Sequence, residues 1–280
     1  DRALFVATLA EACAKADWQV QAYCLMGNHF HLVVETPKGN LVAGMKWFLG
    51  AYTARFNRRH KLSGRLFSGR YKSLVVDAAS PGYLRTVCEY VHLNPVRAKR
   101  LRPGEPLRAY RWSSYPAYLE RPERRPPWLR VERVLGGMGI AKDSAAGRRR
   151  FERVMEERRA QETPEAYGRI RRGWCWGREA FRKELLARME ERRGASRYGE
   201  ELEERARAKA ERLIREGLQE LGWTEAKLAA RPKGDAAKLK LAVKLRAETT
   251  MTLKWIAARL RMGTGPSLSN LLSARRRGKG

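Results

Sequence analysis

Two short runs of strand formers split by a tight turn constrain this chain most. Residues 18–25 (WQVQAYCL) favour extended backbone, Gly27-Asn28 is a turn dipeptide, and residues 29–35 (HFHLVVE) alternate again. That pattern predicts an antiparallel hairpin, closed after the second strand by Thr36-Pro37-Lys38-Gly39-Asn40. Helical spacing flanks it. Leu4, Ala7, Leu9, Cys13 and Ala16 fall roughly on one side of residues 3–16, and Leu41, Met45, Phe48, Leu49, Tyr52 and Phe56 repeat the pattern over 41–56. Residues 71–76 read as a short strand. Ser80-Pro81 opens a helix with proline at its first position; it runs to about His92, and Pro95 ends it or follows its end. The order helix, strand, strand, helix, strand, helix predicts an α+β, ferredoxin-like domain without its first strand. That strand is central in such a sheet, and an unpaired edge beside a core is costly, so its absence reads as truncation.

Charge narrows the partner. Lysine and arginine number 59 against 30 acidic residues, a net +29. Such a surplus repels itself unless a polyanion neutralises it, and nucleic acid is the default polyanion. With 43% hydrophobic and 9% aromatic residues the chain is no disordered basic tail. No apolar run is long enough to span a membrane. No secretory leader is visible, and Cys13, Cys24, Cys88 and Cys175 form no C-x-x-C pair. A cytoplasmic, nucleoid-associated protein is expected.

The composition changes after residues 121–127 (RPERRPP), read as a proline–arginine linker. Residues 148–193 and 198–221 are dense in Arg and Glu and read as solvated connector helices. The last segment differs. A helix is expected over 236–248. A second spans 252–261 with Leu253, Ile256, Ala257 and Leu260 inward, and a turn covers 262–266. A third spans 267–275 with Leu268, Leu271 and Leu272 inward. This order matches a helix-turn-helix. From Leu239 onward ten residues are basic and one acidic. Ser267, Ser269, Asn270 and Ser273 would then meet DNA, with Arg275, Arg276 and Arg277 on phosphates; the alternative is a three-helix core that touches no DNA. The expected domains are 1–121, a connector over 122–235 and a DNA-binding segment over 236–280.

Three constellations could carry chemistry. His29 and His31 lie two apart on a strand, so both imidazoles point to one face and can converge on a metal ion. Tyr90 and Asn94 lie four apart and share a helical face, which sets a phenol beside an amide able to ligate a metal. A phenol has a pKa of about 10, so it attacks well only where its site helps remove the proton. Residues 55–72 (RFNRRHKLSGRLFSGRYK) carry seven basic residues and no acidic one, interleaved with Phe56, Phe67 and Tyr71. Cations for phosphates and rings for unstacked bases suit single-stranded or hairpin DNA. Arg55, Arg58, Arg59, Arg65, Arg70, Tyr71 and Lys72 are the candidates. The bland readings are an incidental His-x-His, a structural tyrosine and a solvated loop.

Together the stretches MGNHFHLVVETP (26–37), FSGRYK (67–72), YVHLNPVRA (90–98) and WSSYPAYL (112–119) resemble the REP-associated tyrosine transposases. These are a branch of the single-tyrosine HUH nucleases, related to small insertion-sequence transposases. The resemblance covers roughly the first 120 residues. It implies a divalent ion, Mg²⁺ or Mn²⁺, held by His29, His31 and Asn94, and Tyr90 as nucleophile. It further implies cleavage of single-stranded DNA near hairpin-forming repeats. The tyrosine becomes joined to the 5′ phosphate, a 3′ hydroxyl is freed, and rejoining needs no external energy. His92, two residues from Tyr90, points off that helical face and is not counted as a ligand. The family's first strand, part of its DNA-recognition surface, is absent here, and the long extension is not part of its core. A monomer is expected rather than a homodimer. The competing reading is a catalytically inactive regulator that only clamps hairpins and duplex DNA.

Overall fold

The computed structural model describes residues 1–161, 167, 168, 170, 173–193 and 198–277. The hairpin forms as expected. Strand β1 (Gln19–Leu25) pairs antiparallel with β2 (Phe30–Glu35), with Cys24 opposite His31 and Leu25 opposite Phe30. Met26 N–H donates to His29 O at 2.9 Å and closes the turn, so His29 stands at the entry to β2 rather than within it. Before the hairpin comes α1 (Arg2–Ala16), and after it α2 (Leu41–His60), a turn longer than its apolar spacing suggested. The two helices pack on each other, with Phe5 meeting Phe48 and Tyr52 edge-on at ring separations of 4.8 and 5.0 Å. Helix α3 (Pro81–Arg97) lies against both strands.

Several expectations are corrected. The strand expected over 71–76 shrinks to β3 (Val75–Val76), which does not join the hairpin. It pairs in parallel with β4 (Cys175–Trp176), a segment of the connector. The expected ferredoxin-like sheet is thus reduced to a hairpin among the described residues. The preceding stretch bends at Gly64 and Gly69, both with φ in the left-handed region, and never settles into an extended run.

Pro95 does not end its helix, which continues to Arg97. A proline there removes the N–H that would bond Val91 O. The Asn94 side-chain Nδ2 donates to that carbonyl instead, at 3.4 Å.

The first core does not stop at residue 121. It takes in Leu129, Val131, Val134, Leu135, Phe151 and Met155 along with residues back to Phe5. The proline–arginine segment is held rather than free. Arg125 donates to the carbonyls of Ala117, Tyr118 and Glu120 and pairs with Asp143. The extended backbone that proline favours then runs beside β1, where Arg130 N–H donates to Val20 O at 2.8 Å. Short helices α4 (Tyr115–Leu119) and α5 (Glu132–Gly137) and the longer α6 (Ala145–Ala160) complete this core.

Beyond α7 (Glu179–Arg193) a second core forms. It joins α8 (Tyr198–Glu220), α9 (Glu225–Ala230), α10 (Ala236–Glu248), α11 (Leu253–Arg259) and α12 (Gly265–Arg277) through Ile214, Leu228, Leu245, Ile256 and Leu268. The charged connector helices are therefore only partly solvated, because α6 lends its apolar side to one core and α8 to the other. Asp235, Thr224 and Thr252 cap α10, α9 and α11 through their side-chain oxygens. Gly265 lets α12 start against α11, since a Cβ there would meet Lys254 N at 3.3 Å.

Candidate active site

The hairpin and α3 bring His29, His31 and Tyr90 into one cluster. His29 and His31 face each other edge-on, ring centroids 5.0 Å apart. His31 in turn meets the Tyr90 ring at 5.7 Å, nearly perpendicular. The register places His31 opposite Cys24 on the strand that α3 covers, which is why a residue of β2 reaches one of α3. His29 is exposed, and its Nδ1 lies 2.8 Å from Asn28 Oδ1. His31 is half-buried. Burial, then the neighbouring His29 and Arg97, lower its pKa to about 4, so the imidazole is neutral at physiological pH and its lone pair is free to ligate.

Asn94 is buried, and the carbonyl orphaned by Pro95 orients it. Because a carbonyl accepts only from the amide nitrogen, the amide oxygen is left as the group able to meet a cation. Two imidazoles and an amide oxygen are a chemically suitable donor set for a divalent ion of intermediate hardness. Among the described residues no three His, Cys, Asp or Glu side chains gather as a metal site.

His92 is excluded from this cluster by position. It is fully buried on another side of α3, with Nε2 at 2.8 Å from Ser114 Oγ. Burial lowers its pKa to about 3. Ser114 also accepts from Tyr23 N–H, so the WSSYPAYL stretch fastens β1 to α3.

Two residues beside Tyr90 carried no role in the sequence reading. The Arg97 guanidinium carbon sits 4.1 Å over the Tyr90 ring, and its Nη2 donates to the Tyr90 carbonyl. Tyr167 lies against Tyr90 at 5.3 Å and under the same guanidinium at 5.1 Å. Arg97 was available to the reading, because it sits seven residues, two helical turns, beyond Tyr90. Tyr167 had no local signal.

Residues 3–94 match the family model of IS200-like transposases. The match spans about a third of the chain and includes His29, His31, Tyr90 and Asn94; it ends before Arg97 and the connector. Over those residues the chain is similar to IS200-like transposases. No curated protein and no solved structure matches the chain.

The basic stretch after the helix is divided in use. Arg58, Arg59, Arg65, Arg70 and Lys72 are exposed. Arg55 is engaged internally, donating to Thr8 Oγ1 at 2.9 Å and pairing with Glu11 at 2.7 Å. The rings point inward: Phe67 meets Phe30 and Tyr52, each at 6.1 Å, and Phe56 and Tyr71 pack against the core. In the second core, Ser267, Asn270 and Ser273 are exposed on α12 and Ser269 is half-buried. Arg275 and Arg276 belong to its last turn, and their side chains lie outside the described residues. Arg259, though basic, is bound between Glu211 and Glu225.

Proposed function

We propose that this protein is a transposase-type, metal-dependent enzyme that cuts and rejoins single-stranded DNA at hairpin-forming repeats through Tyr90. The observation that carries the reading is the ring of Tyr90 standing 5.7 Å from His31, itself paired with His29, inside a segment that matches IS200-like transposases. Resemblance to the REP-associated branch supplies the finer substrate class.

In this reading the Tyr90 hydroxyl attacks a backbone phosphorus. The new bond joins the phenolic oxygen to the 5′ phosphate, the P–O3′ bond breaks, and the phenolic proton is lost while the 3′ oxygen gains one. His29, His31 and the Asn94 amide oxygen would hold Mg²⁺ or Mn²⁺, which when bound polarises the phosphoryl oxygens. Neutral His31 keeps its lone pair for that task. Arg58, Arg59, Arg65, Arg70 and Lys72 offer cations to the strand. The C-terminal helices would act as a helix-turn-helix, with Ser267, Asn270 and Ser273 of α12 presented to duplex DNA. Tethering such a unit raises the local concentration of the catalytic domain at its target.

The test is a covalent-adduct assay. Full-length protein is mixed with labelled hairpin oligonucleotides from the DNA flanking its gene, with Mg²⁺ or Mn²⁺, and run on a denaturing gel. A metal-dependent shifted band that disappears in Tyr90→Phe supports the reading. Tight, metal-independent binding without adduct on any of these hairpins contradicts it and leaves a DNA-binding regulator.

A further inference from the structure

Tyr83, Tyr90 and Arg97 repeat every seven residues along α3, so they form one stripe with about 10.5 Å between successive members. The connector covers all three. Tyr167 packs on Tyr90 and Arg97, and Trp176 meets Tyr83 edge-on at 5.6 Å. The connector thus runs opposite to α3, from its C-terminal turns back toward its start.

Its far end is pinned by contacts that owe nothing to Tyr167. Val75 N–H donates to Trp174 O at 2.9 Å and Asp77 N–H to Trp176 O at 2.8 Å. The Asp77 carboxylate, 1% exposed, accepts from Arg178 Nε at 2.7 Å. At Gly177 a Cβ would come within 2.3 Å of Asp77 Cβ, so the close approach requires glycine. A strand pair, a buried carboxylate and an obligatory glycine anchor the chain seven to eleven residues after Tyr167.

We infer that the connector belongs to the catalytic unit, and that Tyr167 is a positioning residue which, with Arg97, holds the Tyr90 ring for attack. The inference rests on the reading of Tyr90 as nucleophile. The ring has the Arg97 cation over one face, the His31 edge at its side and the tilted Tyr167 ring, 58° off its plane, against it. A ring bounded on these sides loses the freedom to swing about its Cα–Cβ bond. Tyr90 itself stays half-exposed, while Tyr167 is only 7% exposed. That burial pattern suits a supporting wall better than a cover laid over the nucleophile.

The test compares Tyr167→Leu, which keeps bulk but removes the ring, with Tyr167→Phe, which keeps the ring. Adduct formation and hairpin affinity are measured for each beside the wild type. A displacement of about 1 Å at a reacting group can cost on the order of 100-fold in rate. Tyr167→Leu is expected to form adduct at least about tenfold more slowly with unchanged hairpin affinity, and Tyr167→Phe to restore the rate. Wild-type adduct with Tyr167→Leu equally fast overturns the inference and leaves the nucleophile reading intact. Tyr167→Leu faster than wild type also overturns it and marks Tyr167 as a cover. A wild type that forms no adduct fails the nucleophile reading, and the inference falls with it.

Discussion

Helices α3 and α12 treat their polar faces in opposite ways. On α3 the stripe of Tyr83, Tyr90 and Arg97 is covered by the connector, and the candidate nucleophile is packed among rings and a guanidinium. On α12 Leu268 and Leu272 are buried and Leu271 packs against the same core, while Ser267, Asn270 and Ser273 stay open. Under the proposed function the contrast would separate two jobs. Attack on phosphorus needs one ring held in one place, so packing serves it. Reading a groove needs side chains free to meet base edges, so packing would defeat it.

Substitutions can break this contrast. The largest effect is expected for Tyr90→Phe, which should lower adduct formation on the order of 1,000-fold or more while hairpin affinity changes little. Equal loss of binding would mean that Tyr90 serves the surface rather than the chemistry. Next, Leu268→Ala removes a fully buried side chain from the second core and should cost about 2–5 kcal/mol in urea unfolding. It should weaken duplex binding yet leave adduct formation on short hairpins; a joint loss would show that the two regions act as one.

A smaller effect comes from pH. Burial lowers His92 to about 3 and His31 to about 4 from an ordinary 6.5. Below pH 6.5 the unfolded chain therefore takes up protons that the folded chain refuses, and stability falls as the solution is acidified. For the fully buried His92 the loss at pH 5 is about 2 kcal/mol. Urea titrations at pH 7 and 5 should show it, and His92→Gln should flatten the dependence. The smallest expected change is in Asn270→Ala. An amide that pairs with adenine is worth roughly 1–3 kcal/mol, so duplex affinity should drop about tenfold with adduct formation untouched. An unchanged duplex affinity would remove Asn270 from the DNA surface.

What the sequence disclosed follows from the range of each signal. The hairpin, the His29–His31 pair, the four-residue step from Tyr90 to Asn94 and the inward leucines of the last helices are all local patterns, and the structure forms each of them. Two failures are long-range. Nothing near residues 71–76 announced a partner at Cys175–Trp176, nor did the proline–arginine run announce that Arg125 would be captured by the end of α4. Pro95 misled because its missing hydrogen bond is replaced by the side chain next to it. Arg97 lies inside YVHLNPVRA (90–98), but its place over a ring depends on the helix continuing past that proline.

Whether Tyr90 attacks DNA is decided by mapping the adduct. Protein incubated with metal and a flanking hairpin oligonucleotide would be digested with protease and nuclease, and the modified peptide sequenced by tandem mass spectrometry. A nucleotide 5′ phosphate is expected on the peptide carrying Tyr90 and on no other. A phosphate on Tyr71, Tyr83 or Tyr167, or no modified peptide under conditions where the DNA is cut, would contradict it.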